Sequence, residues 1–473
     1  MKRLLFLFVL FIIPVIIVAQ IVTVAKIGSP TYSTVQAAID SFDPDPDAGV
    51  PNVIQITDSS VYDEMITVDV PVTIEGTGAS RPVLAVKINS GGDANDGLLI
   101  TIPTGTFNGV TLRNLIIIPS TTTPPTDDAV RSAGQNLNIL LDNVLITPNN
   151  GSDAPVTIDG LTEVSLVGCT VFGDDGAFLG GGAAPAGDGT LVTMVNTVIS
   201  HNNNAAGNDG LVASGGITGT GGFIIQDGCV FSFNGRLGIQ SGSSLQINAP
   251  TKRVIVLGNK GFAGIWFAGV GSAVSPVRTL DGVDVLNNGT STISGWGIEQ
   301  QNGGSVPFSL TNSIIAGNTS RGLLIGEVGT DGLITVENVT IANNGTSAIE
   351  TNAAHTGLLS FTDCVIAGNG TADPLNSILH NGTGAMSISY SAIVTAGPFA
   401  LTGTGTSGTG TINQSNVINN DPQFIQTVNY QVPEFYDVTA VAYAGAGSGG
   451  SDLGGGADYA PPTAVHYSWS LYE

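Results

Sequence analysis

A short phrase that returns at intervals of 25 to 32 residues constrains the fold of this chain more than any other feature. Its anchor is an Asn or Asp that follows two apolar and two small residues, as in "IIAGN" and "TIANN". The anchors are Asn149, Asp175, Asn202, Asn234, Asn259, Asn288, Asn318, Asn344 and Asn369. A period of this size is typical of repeat architectures, in which each repeat is one structural unit stacked on the next.

Within each period the apolar residues form short runs separated by turns. The third residue before each anchor is large and apolar, and this column is expected to face a core: Ile146, Phe172, Ile199, Phe231, Val256, Val285, Ile315, Ile341 and Ile366. β-branched residues dominate these runs, and helical periodicity is absent. The pattern predicts an all-β protein, a right-handed parallel β-helix of about 12–15 coils stacked at about 4.8 Å.

The anchor Asn itself has a predicted structural role. Asn tolerates the left-handed backbone conformation of a tight turn better than most residues, so each anchor is expected to adopt it. When coils stack, the amide of each Asn can bond to the amides above and below it. We therefore predict an internal ladder of Asn side chains along the solenoid.

Residues 1–19 have the features of a secretory signal peptide. Lys2 and Arg3 precede an apolar run that ends at Ala19, a small residue, before Gln20. The alternative is an uncleaved anchor, since the run is nearly long enough to span a bilayer. In either case we expect a secreted or cell-surface protein, without a transmembrane domain once the signal is cleaved.

The ends of a solenoid expose unpaired strand edges and need covers. Residues 20–51 are predicted to form the N-terminal cap, with a short capping helix in "STVQAAIDSF". One face of this helix is apolar, at Val35, Ala38, Ile39 and Phe42. Ser33 and Gln36 have the spacing of a capping box.

The predicted β-helix occupies residues 52–424, and residues 425–473 are predicted to form a C-terminal cap and Gly-rich tail. Cys169 and Cys229 are predicted to lie two coils apart, about 9–10 Å along the axis. This separation exceeds the reach of a disulfide, and Cys364 is farther away still. All three cysteines are expected to be buried free thiols.

The charge balance excludes one class of partner. The formal net charge is −24, with only 13 Lys and Arg residues. Nucleic-acid binding needs clustered basic side chains to contact phosphates, so a nucleic-acid partner is not expected. The oligomeric state is left open by the sequence.

The repeat, together with "YSTVQAAIDSF" and "VIQITDSSVYDEMITVDVPVTIEG", resembles the pectin-lyase-like superfamily of right-handed parallel β-helix proteins. The two N-terminal stretches are similar to the start of pectin methylesterases. The D-F-x-F-G and L-G-R-P-W stretches of those enzymes are absent. Of the polygalacturonase motifs only an Asp pair is present, at Asp174 and Asp175. The resemblance therefore implies the fold and an extracellular setting, without a named activity.

Asp174 and His201 form the first candidate site, as a catalytic pair. The repeat alignment places them in one column on neighbouring coils, about one strand spacing apart. An Asp beside a His can act as an acid–base pair. The alternative is a polar turn, in which Asp175 replaces Asn in the ladder.

Shortly after the anchor a Gly or Ala often precedes a large apolar residue, as at Gly238–Ile239, Gly264–Ile265, Gly322–Leu323 and Ala348–Ile349. The residues that directly follow these Gly–apolar pairs form a column that gives the second candidate site. Trp266, Glu299 and Glu350 belong to this column, and Trp296 lies close to Glu299. Aromatic rings stack on the apolar faces of sugars, and carboxylates accept bonds from hydroxyls, so these four residues are predicted to bind substrate. Glu299 and Glu350 are two coils apart, near the upper limit for an inverting glycosidase pair. The alternative is an ordinary solvated face with packed Trp rings.

The third candidate site is a metal site in "DPDPDAG", formed by Asp43, Asp45 and Asp47. Alternating carboxylates are similar to part of a calcium loop, although Gly49 comes one residue later than an EF-hand requires. No cofactor is expected to be required, and Ca²⁺ is the one candidate. A Pro-stiffened acidic turn is the alternative.

These observations favour a secreted or cell-surface β-helix that binds a polysaccharide or cell-surface glycan as a non-catalytic, adhesion-type scaffold. The first alternative is an extracellular polysaccharide hydrolase or lyase with a non-standard active site. The second alternative is a structural envelope protein. Whether the protein is an enzyme is left open by the sequence.

Overall fold

The computed structural model describes the chain in segments that together follow the solenoid from end to end. These are residues 19–42, 52–89, 96–101, 109–125, 128–132, 137–147, 155–158, 162–172, 178–180, 191–200, 209–213, 222–242, 244–267, 278–290, 295–301, 307–326, 333–370, 378–394 and 412–417.

Each coil contributes up to three strands, and the stacked coils form three faces. Face 1 consists of Gln20–Val24, Asn52–Ile56, Val72–Gly76, Gly109–Arg113, Leu137–Asp142, Thr162–Val167, Leu191–Val195, Gly222–Gln226, Ser244–Asn248, Arg278–Asp281, the first parts of Phe308–Ala316 and Leu333–Ala342, Leu358–Thr362, Met386–Ser389 and Ile412–Ser415. Face 2 consists of Val61–Glu64, Val83–Val86, Ile116–Pro119, Leu145–Ile146, Thr170–Phe172, Val198–Ser200, Val230–Ser232, Val254–Leu257, Val283–Leu286, the second parts of Phe308–Ala316 and Leu333–Ala342, Val365–Ala367 and Ala392–Val394. Face 3 consists of Ile66–Val68, Leu98–Ile100, Val130–Ser132, Val156–Ile158, Phe178–Gly180, Leu211–Ala213, Ile239–Ser241, Ala263–Phe267, Trp296–Gln300, Arg321–Ile325, Ser347–Thr351 and Ile378–His380.

Faces 1 and 2 form one 26-stranded sheet, because Phe308–Ala316 and Leu333–Ala342 run through both without a break. Face 3 is a separate 12-stranded sheet that takes one strand from each coil. Strands of successive coils pair in parallel on every face. Parallel strands joined by such crossovers take the right-handed path. The predicted right-handed parallel β-helix is confirmed.

The interior is a stack of aliphatic columns, one of which the repeat predicted. Eight of the nine predicted residues are fully buried in the core: Ile146, Ile199, Phe231, Val256, Val285, Ile315, Ile341 and Ile366. The prediction for Phe172 is wrong. Val171 pairs with Ile199 and fills the column, and Phe172 therefore points outward and is half-buried.

The turn between faces 1 and 2 explains this shift. Most strands of face 2 follow a residue with positive φ, such as Asn143 at 54°, Gly168 at 62° and Asn196 at 47°. Gly and Asn adopt this conformation at the least cost. The core residue comes three positions later in each case, which selects Val171 after Gly168. The turn before each strand thus determines which of its residues faces the core. The prediction instead counted three residues back from the Asn or Asp anchor that follows the strand.

The Asn ladder is confirmed at six consecutive coils, at Asn234, Asn259, Asn288, Asn318, Asn344 and Asn369. From Asn259 to Asn369, each side-chain oxygen accepts two hydrogen bonds from the Asn of the preceding coil. Asn288 donates to Asn318 Oδ1 from its backbone N at 3.0 Å and from its Nδ2 at 2.9 Å. From Asn259 onward each Nδ2 also donates to a backbone carbonyl, as Asn318 does to Val285 at 3.2 Å. The predicted ladder members Asn149, Asp175 and Asn202 lie outside the described residues.

The predicted left-handed conformation of the ladder residues is wrong. Positive φ occurs instead at the residue directly before each of them, at Phe233, Gly258, Asn287, Gly317, Asn343 and Gly368. This residue makes the sharp turn between faces 2 and 3. The ladder Asn that follows directs both its N–H and its amide along the stack, toward the same oxygen of the next coil.

The predicted N-terminal helix is present as Val35–Ile39, with its apolar face buried. Thr34 is the N-cap and accepts a hydrogen bond from Ala37 N, so the predicted capping box from Ser33 is displaced by one residue. Glu64 completes the cap because its carboxylate accepts hydrogen bonds from the backbone N of Val35. The helix packs against the first strands of the solenoid.

The three cysteines are free and buried, as predicted. Burial raises the pKa of Cys229 to about 12 and that of Cys169 to about 11. Within the described segments, no helix is long and apolar enough to cross a bilayer.

Candidate functional site

The column that contains Trp266, Glu299 and Glu350 lies on the outer side of face 3. Strand pairing aligns Gln240 with Trp266, Trp266 with Glu299, Glu299 with Leu324, and Leu324 with Glu350. Each member comes from one of five consecutive coils, so the column rises by about 4.8 Å per residue. The sequence alignment therefore predicted this register correctly, and it brings Trp266, Glu299 and Glu350 onto one surface.

Arg321 joins this surface and was not predicted. Its guanidinium donates from Nε and Nη2 to the two carboxylate oxygens of Glu350, with the Nη2 bond at 3.0 Å. The same guanidinium lies over the ring of Trp296 at 5.9 Å from the centroid. A bidentate ion pair fixes the planes of the guanidinium and the carboxylate relative to each other, and the contact with the Trp296 ring holds the Arg321 side chain along face 3.

A sequence signal for Arg321 was available. Trp296 directly precedes Gly297–Ile298, and Arg321 directly precedes Gly322–Leu323 one coil later. The repeat alignment included the residues that directly follow these Gly–apolar pairs and omitted the residues that directly precede them. Residues directly before the pairs also lie on the outer side, because the Gly of each pair faces the core: a Cβ at Gly297 would meet Ile315.

Both Trp rings are half-buried. The indole N–H groups of Trp266 and Trp296 are buried and have no hydrogen-bond acceptor among the described residues. Since Nε1 is the one polar atom of an indole, the exposed part of each ring is carbon. Phe262 extends this carbon surface, with its ring centroid 6.3 Å from that of Trp296, and it is 53% exposed.

Glu299 lies in an apolar position between Trp266 and Leu324 and is only 8% exposed. Burial raises the pKa of its carboxyl to about 7, and the charge of Arg321 opposes that rise in part. A burial effect of this kind disfavours the charged form. Near neutral pH, Glu299 therefore exists as a mixture of carboxylic acid and carboxylate and can both donate and accept hydrogen bonds.

An open depression of about 400 Å³ begins beside the ion pair and continues toward the C-terminal coils. It is lined by Arg321, Leu324, Glu350, Thr351, Asn352, Ala353 and Asn381. The lining combines one apolar side chain with amide, hydroxyl and charged groups. The column, the ion pair and this depression form one continuous surface, which we call the face 3 site.

The residues of the other two predicted sites lie outside the described part of the chain. Asp174 and His201 lie outside the described residues. The strands that precede them pair Phe172 with Ser200, whereas the repeat alignment behind the prediction matched Phe172 with Ile199, one residue earlier. The acidic residues Asp43, Asp45 and Asp47 also lie outside the described residues. In the segments that are described, no group of three or more His, Cys, Asp or Glu side chains is placed to hold a metal ion.

Comparisons with known proteins complete the description of the chain. No family model matches the sequence, and no curated protein matches it. Among solved structures, the A-module of a mannuronan C-5 epimerase from Azotobacter vinelandii is 12% identical over 81% of this chain and 92% of its own, with a TM-score of 0.42.

Two further structures are similar at the same level. The pectate lyase Pel9A is 13% identical over 92% of this chain and 96% of its own, with a TM-score of 0.37. Tailspike protein 3 of bacteriophage CBA120 is 14% identical with a TM-score of 0.36, and this chain spans 56% of its length. The comparisons assign the chain to no family, and its strand pairing makes it a right-handed parallel β-helix.

Proposed function

We propose that this protein binds an extended polysaccharide along the face 3 site as a non-catalytic scaffold. The observation that carries the proposal is the register of Trp266, Glu299 and Glu350 in one column, on the first, second and fourth of four consecutive coils, with Trp296 and Arg321 beside them. Because Arg321 lies on the coil of Leu324, an aromatic or polar side chain is present at every coil, a spacing close to the length of one sugar residue.

The chemistry of the site suits sugar rings. The exposed carbon of Trp266, Trp296 and Phe262 matches the apolar face of a pyranose. Glu299, Glu350 and the amides of Asn352 and Asn381 supply acceptors and donors for hydroxyl groups. Carbohydrate recognition needs this combination of flat apolar area and fixed polar groups.

Local charge favours a neutral polysaccharide. Arg321 balances the charge of Glu350, and the raised pKa of Glu299 leaves that carboxyl partly uncharged near pH 7. The whole chain carries a formal charge of −24, which repels a polyuronate. Binding of a polyuronate at face 3 therefore requires a bridging cation. The candidate Ca²⁺ site of Asp43, Asp45 and Asp47 belongs to the predicted N-terminal cap and is a separate proposal.

A second candidate function is glycoside hydrolysis, favoured by the raised pKa of Glu299. An acid with a pKa of about 7 can protonate a leaving group, and Glu350 lies two coils away, about 9.6 Å along the stack. That spacing is close to the roughly 6.5–9.5 Å of inverting enzymes. Against it, both oxygens of Glu350 already accept hydrogen bonds from Arg321, which weakens Glu350 as a base.

The secreted or surface location is part of the proposal. The basic start and apolar run of residues 1–19 support export, where extracellular glycans are accessible. A fractionation experiment with a C-terminal tag tests this: the protein is expected in the medium or on the cell surface, and retention in the cytoplasm contradicts it.

Affinity electrophoresis of the mature protein through gels that contain neutral polysaccharides or polyuronates, with and without Ca²⁺, tests the proposed function. We expect retardation by at least one neutral polysaccharide, reduced by Trp296→Ala and unchanged by Leu358→Ala, a control on face 1. Reducing-sugar assays on the same polymers distinguish the second function: turnover that Glu299→Gln abolishes while retardation persists establishes a hydrolase. If no polymer retards the protein, glycan binding is contradicted and a structural envelope role remains.

A further inference from the structure

A second Arg–carboxylate pair lies on face 3, across the aromatic surface from Arg321. Arg236 donates from Nε to Asp209 Oδ1 at 2.7 Å and from Nη2 to Asp209 Oδ2. Arg321 makes the same bidentate contact with Glu350. Asp209 belongs to the coil before that of Arg236, whereas Glu350 belongs to the coil after that of Arg321. Each carboxylate therefore lies on the far side of its Arg, away from the middle of the site.

The aromatic rings of the outer edge lie between the two guanidinium groups. Phe262 follows Gly261, whose N–H donates to the carbonyl of Arg236 at 2.9 Å, so Phe262 belongs to the next coil after Arg236. Trp296 comes one coil later, and its ring packs beside that of Phe262 and against the guanidinium of Arg321. The coils of Arg236 and Arg321 are three steps apart, about 14 Å.

Gln240 connects the first pair to the column that contains Trp266. Its Oε1 accepts a hydrogen bond from Arg236 Nη2 at 2.9 Å, and Gln240 and Trp266 are paired on neighbouring strands. A guanidinium can only donate, so this contact turns the NH₂ group of the amide away from Arg236. Within the described part of the chain, that NH₂ group bonds to no acceptor. Gln240 thus offers a donor at the N-terminal end of the site.

Each of the two guanidinium groups also retains donors for a ligand. Nη1 of Arg236 and Nη1 of Arg321 bond to no acceptor in the described segments, and the two side chains are 29% and 27% exposed. An Nη1 group carries two N–H donors in a rigid plane, which can reach two neighbouring oxygen atoms. Because a carboxylate already balances each charge, adjacent hydroxyls of a neutral sugar are the acceptors that suit these donors.

The column has an aliphatic residue at each end. Val212 precedes Gln240 in the pairing and is buried, and Leu379 follows Glu350. Between these limits, each coil presents a polar or aromatic side chain, from Gln240 to Glu350, over five consecutive coils. One more polar group, the amide of Asn381, lines the depression on the coil of Leu379.

We infer that the face 3 site binds a stretch of about five sugar residues of a neutral polysaccharide, held at its two ends by Arg236 and Arg321 through adjacent hydroxyls. This inference rests on the proposed function and adds a second anchor and a defined length. One sugar residue is close in length to one coil step, so each of the five coils contacts one residue. Asn381 provides for a sixth.

Oligosaccharides of two to eight residues, prepared from the polysaccharide that retards the protein, test the length by calorimetric titration of the unmodified protein. The affinity should rise roughly two- to tenfold for each residue added, the contribution of about one hydrogen bond. It should level off at about five to six residues. A plateau at four or fewer residues, or a rise that continues beyond six, overturns the inference.

Arg236→Gln tests the second anchor, with Arg113→Gln as its matched control. Arg113 forms a similar ion pair on face 1, where its Nε donates to Asp142 at 2.8 Å. Arg236→Gln should weaken binding of the pentasaccharide at least roughly fivefold and affect a trisaccharide much less, because three residues can bind on the rings and Arg321. Arg113→Gln should leave both affinities unchanged.

Arg236→Lys covers the case in which Arg236→Gln does not fold, since an ammonium keeps a positive charge beside Asp209 but lacks the planar second NH₂ group. It should give the same selective loss for the pentasaccharide. An unchanged pentasaccharide affinity in the Arg236 variants, or an equal loss for both lengths, assigns the pair a structural role and overturns the inference. Binding of no saccharide at any length instead contradicts the proposed function, and the inference fails with it.

Discussion

Removal of one ladder side chain from the middle of the stack should destabilise the solenoid far more than removal of an outer Asn. Asn318 Oδ1 accepts hydrogen bonds from the backbone N and the Nδ2 of Asn288, and both donors are buried. Asn318→Ala leaves these two N–H groups without an acceptor. An orphaned buried donor costs about 1–3 kcal/mol, so the free energy of unfolding should fall by about 2–6 kcal/mol.

Asn338→Gly is the matched control. Asn338 also bonds to an Asn of the neighbouring coil, Asn312, at 2.8 Å, but this pair is only partly buried. Its φ of 53° suits Gly, so the change removes an amide hydrogen bond without backbone strain. We expect a loss of about 1 kcal/mol or less.

Urea unfolding followed by circular dichroism, with hydrogen exchange at the Asn288 amide, measures both effects. Solenoids lose structure in neighbouring units, so exchange identifies the coil that opens. A decrease of less than about 1 kcal/mol in the free energy of unfolding for Asn318→Ala contradicts this prediction, because two buried N–H groups without an acceptor cost more than that. An equal loss for Asn338→Gly contradicts it as well.

Three further predictions concern ionisable side chains. The pKa of Glu299 is about 7 in the folded chain and near 4.5 when unfolded, so between these pH values the folded state binds one more proton than the unfolded state. The free energy of unfolding should therefore fall by about 3 kcal/mol as the pH rises from about 4 to above 8. Glu299→Gln should remove that pH dependence in urea titrations carried out at a series of pH values. A flat profile in the unmodified protein contradicts this assignment. Burial raises the pKa of Cys364 to about 12, so all three thiols should resist iodoacetamide at pH 8 and react in denaturant, as mass spectrometry reports; rapid native labelling refutes it. Glu64→Ala removes the carboxylate that caps the N-terminal helix and should cost about 1–2 kcal/mol in thermal or urea melts, whereas the exposed Asp69→Ala should not.

The fold was predictable because its information is periodic. One column of apolar residues and one of Asn, repeated at each coil, predicted parallel stacking and the ladder from the sequence alone. The errors came from the turns. Val171 rather than Phe172 faces the core because the left-handed Gly168 sets the strand register, and a one-residue slip exchanges the two faces of a strand.

The candidate site was predictable only in part. The register of Trp266, Glu299 and Glu350 followed from the repeat, because residues at equal positions in successive coils lie side by side. The bidentate contact of Arg321 with Glu350 did not, since it depends on side-chain directions between two neighbouring columns. The raised pKa of Glu299 also depends on burial, which a sequence position does not specify.

Calorimetric titration of the protein with the polysaccharide that retards it tests whether face 3 binds the glycan. We expect Trp296→Ala to raise Kd at least tenfold, about 1.4 kcal/mol, and Leu358→Ala on face 1 to leave Kd unchanged. Binding that Trp296→Ala does not weaken, or that Leu358→Ala weakens equally, contradicts the claim that face 3 binds the glycan.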